Sequence, residues 1–150
     1  VAASRATLAA LTLAGALAAP GAALAEYRSI ATNGTILYDA PNTRATKLFV
    51  ASANYPVEVI LTDGAWARIR DVAGDLAWVE RKSLSDKRTV LVNVPSVEAR
   101  QKPDDRSPAA FQAAQGVVLD FLDAESPGWL RVRHRDGLIG FVRVREVWGN

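Results

Sequence analysis

The sequence predicts an all-β chain built as two tandem small β-barrels of about five to six short strands each. Three observations predict it. Short alternating apolar/polar segments recur along residues 26–150, broken by turn signals such as Asn33-Gly34, Asp63-Gly64 and the Gly74 turn. No long apolar pattern of helical period occurs in that stretch. Finally, the second half repeats the first at a nearly constant offset.

The chain opens with a segment that is not part of either barrel. Arg5 is the only charge in residues 1–25; an Ala/Leu stretch follows, then Pro20-Gly21 and Ala23-Leu24-Ala25. A basic start, a short apolar core and small residues before the cut are the layout of a secretory signal peptide, with cleavage expected after Ala25. A retained anchor would need about 20 uninterrupted apolar residues, and Pro-Gly interrupts this run. The reading therefore places a signal peptide at 1–25, a first copy at 26–88 and a second at 89–150, in a periplasmic or secreted protein without a membrane span after cleavage.

In the first copy the expected strands are YRSIAT, TILY, KLFVA, VEVILT, AWARIR and DLAWVE. In the second they are TVLVNV, VEAR, AAFQA, VVLDFL, WLRVRH and LIGFVRV. The repeat pairs Trp66 with Trp129, Arg68 with Arg131, Ile69 with Val132, Gly74 with Gly137 and Trp78 with Phe141. Upstream it pairs Leu37 with Ala99, Pro41 with Pro103 and Phe49 with Phe111, one extra residue in the second copy's DAESPG turn absorbing the slip. Modules this small bury limited core, which favours packing of one copy on the other.

Strand alternation separates the faces. Ala67 and Ile69 point inward in the first copy, as do Leu130 and Val132 in the second. Trp66, Arg68 and Arg70, and likewise Trp129, Arg131 and Arg133, point outward. A tryptophan on the same face as arginines is either a stacking surface or a ring folded over the barrel rim or into the contact between copies.

These residues resemble the bacterial Src homology 3-like domains of exported and cell-wall proteins. The second copy carries the pattern as Val97-Glu98-Ala99-Arg100 with Pro103, Gly128-Trp129-Leu130-Arg131-Val132 and Gly137-Leu138-Ile139-Gly140-Phe141-Val142. The first carries it as Thr35-Ile36-Leu37-Tyr38 with Pro41, Trp66-Ala67-Arg68-Ile69 and Gly74-Asp75-Leu76-Ala77-Trp78-Val79. The resemblance implies a small barrel closed by a short helix and a binding or targeting role, often towards peptidoglycan or its peptides. The first copy departs from it with Ala77 where glycine is usual, the second with Phe141 for Trp. ILYDAP is similar to the opening of the aromatic groove with which eukaryotic relatives bind proline-rich peptides, with Tyr38 as a wall. Arg100 replaces that Tyr in the second copy, and neither copy has the closing Pro-x-x-Tyr, so the two need not take the same ligand.

Composition narrows the chemistry. With no Cys, disulfides, thiolate nucleophiles and Cys-based metal sites are excluded, and one His excludes multi-His zinc centres. His134 reads as a solvent-exposed strand-end residue, and Asp104-Asp105 as a solvated loop pair. No cofactor and no catalytic residue is expected; the protein reads as a non-enzyme. A net charge of +2 gives no warrant for a nucleic-acid partner. Arg131, Arg133 and Arg135 alternate on one face beside Arg143 and Arg145, either as an ordinary solvated face or as a basic stripe for carboxylates.

The expected function is an exported tandem module docking on peptidoglycan or a wall-derived peptide. Trp66 and Trp129 would stack on the ligand, Tyr38, Tyr55, Trp78 and Phe141 would wall a groove, and Arg131, Arg133 and Arg145 would make charge contacts. An adaptor binding an envelope protein through exposed aromatics is the alternative. A unit whose copies bury their tryptophans against each other is a third reading.

Overall fold

The computed structural model describes residues 24–150. The expected signal peptide therefore lies, but for Leu24 and Ala25, outside the described residues. The first copy forms β1 (Glu26–Ile30), β2 (Thr35–Tyr38), β3 (Lys47–Ala51), β4 (Pro56–Asp63), β5 (Trp66–Arg70), β6 (Leu76–Glu80) and β7 (Leu84–Ser85). The second forms β8 (Thr89–Val92), β9 (Ser96–Arg100), β10 (Ala109–Ala114), β11 (Val118–Asp123), β12 (Trp129–Arg133), β13 (Ile139–Arg143) and β14 (Val147–Trp148).

Each copy is one antiparallel seven-stranded sheet, in the orders β3-β2-β6-β5-β4-β1-β7 and β10-β9-β13-β12-β11-β8-β14. The topology is the same twice, as the repeat requires. The strand number exceeds the expected five to six. The addition is a two-residue strand in each copy, β7 or β14, which follows a 3-10 turn at Arg81–Ser83 or Val144–Glu146. Two residues are too few to show an alternating pattern, so periodicity does not reveal them.

Inward residues follow the predicted parity. Ala67, Ile69, Val132 and Leu130 are buried, and each copy has one apolar cluster. Ile30, Leu37, Val57, Ile69 and Val79 anchor the first; Val90, Val97, Leu119, Leu130 and Val142 anchor the second. The equivalent turns before β6 and β13 depend on glycine: Gly74 and Gly137 have φ of 90° and 94°, where a Cβ is strained.

The two copies touch through a polar and aromatic seam. Buried Thr89 donates from Oγ1 to the Asn54 carbonyl at 2.7 Å, and Lys87 Nζ pairs with Asp120 at 3.0 Å. Asn54 holds a positive φ of 67°, a conformation asparagine tolerates. The Arg88 guanidinium lies 5.8 Å from the Tyr27 ring centre and 5.3 Å from that of Phe121, and donates to the Gly149 carbonyl at 3.1 Å. Tyr27 meets Trp148 edge-on at 5.3 Å. The tryptophan at the contact between copies is thus Trp148, not Trp66 or Trp129. Among the described residues no helix is long and apolar enough to cross a membrane.

Candidate functional site

The same outer face can be followed in both copies, and it differs between them. In the first, β2, β6 and β5 lie side by side, with Tyr38 opposite Trp78, Trp78 opposite Arg68, and Trp66 opposite Glu80. Because cross-strand partners share a face, these five side chains form one surface. Trp66 meets Tyr38 edge-on, ring centres 5.6 Å apart. Tyr38 is buried beneath this contact, whereas Trp66 and Trp78 remain half-exposed. Arg68 has no ion-pair partner among the described residues, and Glu80 pairs with Lys82 at 2.9 Å. The surface therefore offers two accessible indoles around an uncommitted guanidinium.

The second copy presents Arg100, Phe141, Arg131, Trp129 and Arg143 at these positions. Here the expectation of a stacking tryptophan is overturned. Trp129 is only 6% exposed, because the Arg143 guanidinium lies over its ring at 4.0 Å. Asp105 holds that guanidinium at 2.5 Å. The first copy has Glu80 and Thr43 where these two stand, so it has no such cap.

The expected basic stripe is also changed. Arg131 pairs with Asp123 at 2.6 Å and Arg133 with Asp120 at 3.1 Å, which commits both to neighbouring carboxylates. Arg145 is exposed and has no ion pair among the described residues. The cause lies in β11, whose Asp120 and Asp123 stand directly opposite Arg133 and Arg131. Reading β12 alone counts the arginines and misses the acids across the ladder.

Tyr38, Trp66 and Trp78 are thus brought together on the first copy, and Phe141 is half-exposed in the second beside capped Trp129. Tyr55 stands apart, lining a different cleft with Phe49 and Asp71. Burial raises its phenol above the ordinary range, with the Asp71 charge adding to the effect. His134 is not an open strand-end residue: it is half-buried, tilted on Phe111 at 5.4 Å, with Nδ1 3.0 Å from Asp136. Asp105 is solvated as expected but acts as the clamp on Arg143. No cluster of three or more His, Cys, Asp or Glu able to hold a metal occurs among the described residues.

The clamp makes a pH prediction. The hydrogen bond from Arg143 holds the Asp105 carboxyl below the usual carboxylate range. A depressed folded-state pKa means the clamp contributes at pH above the ordinary value of about 4 and is lost as pH falls through the depressed value. The Trp129 resonance in fluorotryptophan NMR should be unchanged from about pH 8 to 5 and move only below about 4. Movement near neutrality would place another group over the ring.

Comparison with known proteins agrees with the repeat. Bacterial SH3 domains match twice, over residues 33–85 and 93–149. No curated protein matches. Among solved structures, similarity is found to NlpC2 from Trichomonas vaginalis (16% identity, 84% of this chain and 48% of that chain, TM-score 0.39). NlpC1 from the same organism gives 14% identity, 89% and 49% coverage, and a TM-score of 0.39. An NlpC/P60 family protein from Bacillus cereus gives 15% identity, 82% and 56% coverage, and a TM-score of 0.36. The chain spans about half the length of these structures. The two matched halves, each folded as the same seven-stranded sheet, make the chain a member of the bacterial SH3 domain family, carrying two copies in tandem.

Proposed function

We propose that the protein is a non-catalytic, exported binding module of the bacterial cell envelope that docks on peptidoglycan or its peptides through its first copy. Each sheet, curled around its single apolar cluster, would form the small barrel expected of the family. The observation that carries the reading is the asymmetry of the outer face: Trp66 and Trp78 are accessible around unpaired Arg68, whereas Trp129 is sealed under Arg143. Accessible indoles stack on sugar rings and peptide planes, and a free guanidinium takes a stem-peptide carboxylate with two parallel hydrogen bonds. The second copy, with Arg131, Arg133 and Arg143 already paired, would serve as the partner that fixes the first through the seam at Arg88 and Thr89.

The test is co-sedimentation with purified sacculi. The protein should pellet with the wall material, and Trp66→Ala should lower its affinity about tenfold or more, the size of one lost stacking contact of 1–3 kcal/mol. A folded wild type that remains in the supernatant at low and moderate salt would remove the proposal.

A further inference from the structure

A cleft of about 660 Å³ opens where the two copies meet, and none of Tyr38, Trp66, Arg68 and Trp78 lines it. The first copy contributes residues 53–54, and the second contributes residues 116–118, Asp120 and residues 133–135. Lys87, from the segment between β7 and β8, completes the lining. The hydrogen bond from Thr89 to the Asn54 carbonyl holds the two contributions together.

The lining is out of charge balance. Lys87 Nζ takes one carboxylate oxygen of Asp120 at 3.0 Å, and Arg133 takes the other at 3.1 Å. One negative charge thus serves two positive ones. Arg135 lines the same cleft, is exposed, and has no ion pair among the described residues. The next carboxylate along the chain, Asp136, is held by the Leu138 N–H and by His134 Nδ1, each at 3.0 Å, and does not line the cleft. With a neutral His134, the lining keeps two positive charges that no lining carboxylate offsets.

The repeat shows which of these charges are additional. At the positions of Arg133 and Asp120 the first copy has Arg70 and Glu58, paired one to one at 3.1 Å. One such pair is therefore enough to join the two strands. Where the second copy has Lys87, His134 and Arg135, the first has Ala25, Asp71 and Val72. The extra cations occur only in the copy whose strand faces the junction cleft.

We infer that this cleft binds a phosphate dianion, either inorganic phosphate or the phosphomonoester end of a larger molecule. Charge selects the class. A phosphomonoester carries about −1.5 to −2 at neutral pH, which matches the excess, whereas a carboxylate supplies a single charge. Donors are at hand as well. Lys87 and Arg133 each give one donor to Asp120 and keep the others, while those of Arg135 are uncommitted to any carboxylate. Phosphate offers several acceptor oxygens to such converging donors, and guanidinium groups take two of them at once. The cleft shares no residue with the Trp66 face, so phosphate binding stands or falls independently of peptidoglycan binding.

Amide chemical shifts of the isotope-labelled protein, titrated with inorganic phosphate at constant ionic strength, test the inference. The shifts should saturate, centre on Gly116 and Arg135, and give a dissociation constant of about 1 mM or below. Lys87→Ala and Arg135→Ala should each weaken binding about tenfold, the loss of one charge-assisted contact. Both side chains are largely exposed, so the variants should stay folded. Arg44→Ala removes the same charge from an exposed loop of the first copy and should leave the affinity as it is. Neutral vesicles with and without a phosphomonoester headgroup separate the two sources. Pelleting only with the phosphomonoester vesicles assigns a membrane-borne phosphate, and phosphate binding without pelleting assigns a soluble one. Absence of saturable shifts with phosphate overturns the inference. So does acetate binding as tightly as phosphate, or an equal loss in Arg44→Ala.

Discussion

Trp129→Ala should cost about 3–5 kcal/mol of stability, the range of a buried large aromatic, seen as a lower denaturation midpoint in urea. Trp129 is buried, and the Arg143 guanidinium over its ring would lose its platform. Arg143 is also tied to Asp105 and to the 3-10 turn, its backbone N–H donating to Glu146 at 2.9 Å. The equivalent change in the first copy should behave differently. Trp66 is half-exposed and rests edge-on against Tyr38, so Trp66→Ala should cost about 1–2 kcal/mol, the aromatic pair and part of the area, and fall instead on ligand affinity. Equal losses of stability in the two variants would contradict the asymmetry on which the proposed function rests.

Gly140→Ala is the second large effect. The position is buried and its φ is ordinary, so the penalty comes from space: 2.8 Å to the Ala99 Cβ, 3.2 Å to the Arg100 carbonyl oxygen and 3.2 Å to Phe111. Overpacking of this kind costs about 1–3 kcal/mol. The relief open to the structure is the one the first copy already shows, with the phenylalanine turned out. The variant should therefore lose stability by chemical denaturation and gain binding of a dye that reports exposed apolar surface. An unchanged midpoint would mean that the sheet relaxes without moving Phe111.

Much of this fold was legible in the sequence because both signals that reveal it act locally. Period-two alternation set the inner residues of β5 and β12, and the offset between the halves set the tandem organisation. The seventh strand of each sheet was not legible, being two residues long. At the candidate site, alternation placed Trp66 and Trp129 on the outer face, and both are there. Their accessibility depends on what lies across the ladder or beyond a loop: Arg143 and Asp105 over one, Glu80 and Thr43 near the other. Those contacts join residues far apart in the chain, and only the repeat gave a clue, since Arg143 and Glu80 occupy the same position. The arginine stripe failed for the same reason, as Asp120 and Asp123 belong to a separate strand. Ala77 was visible as a departure from the family's glycine, but its consequence for Phe49 appears only when β2, β3 and β6 are assembled.

In the proposed function the first copy's outer face takes the ligand and the second's does not. Titrating the fluorotryptophan-labelled protein with soluble peptidoglycan fragments tests this most directly, because each of the four tryptophans reports on its own surface. The Trp66 and Trp78 resonances should shift in a saturable manner while those of Trp129 and Trp148 stay in place. Shifts confined to Trp129, or none at any tryptophan at saturating fragment, would contradict it.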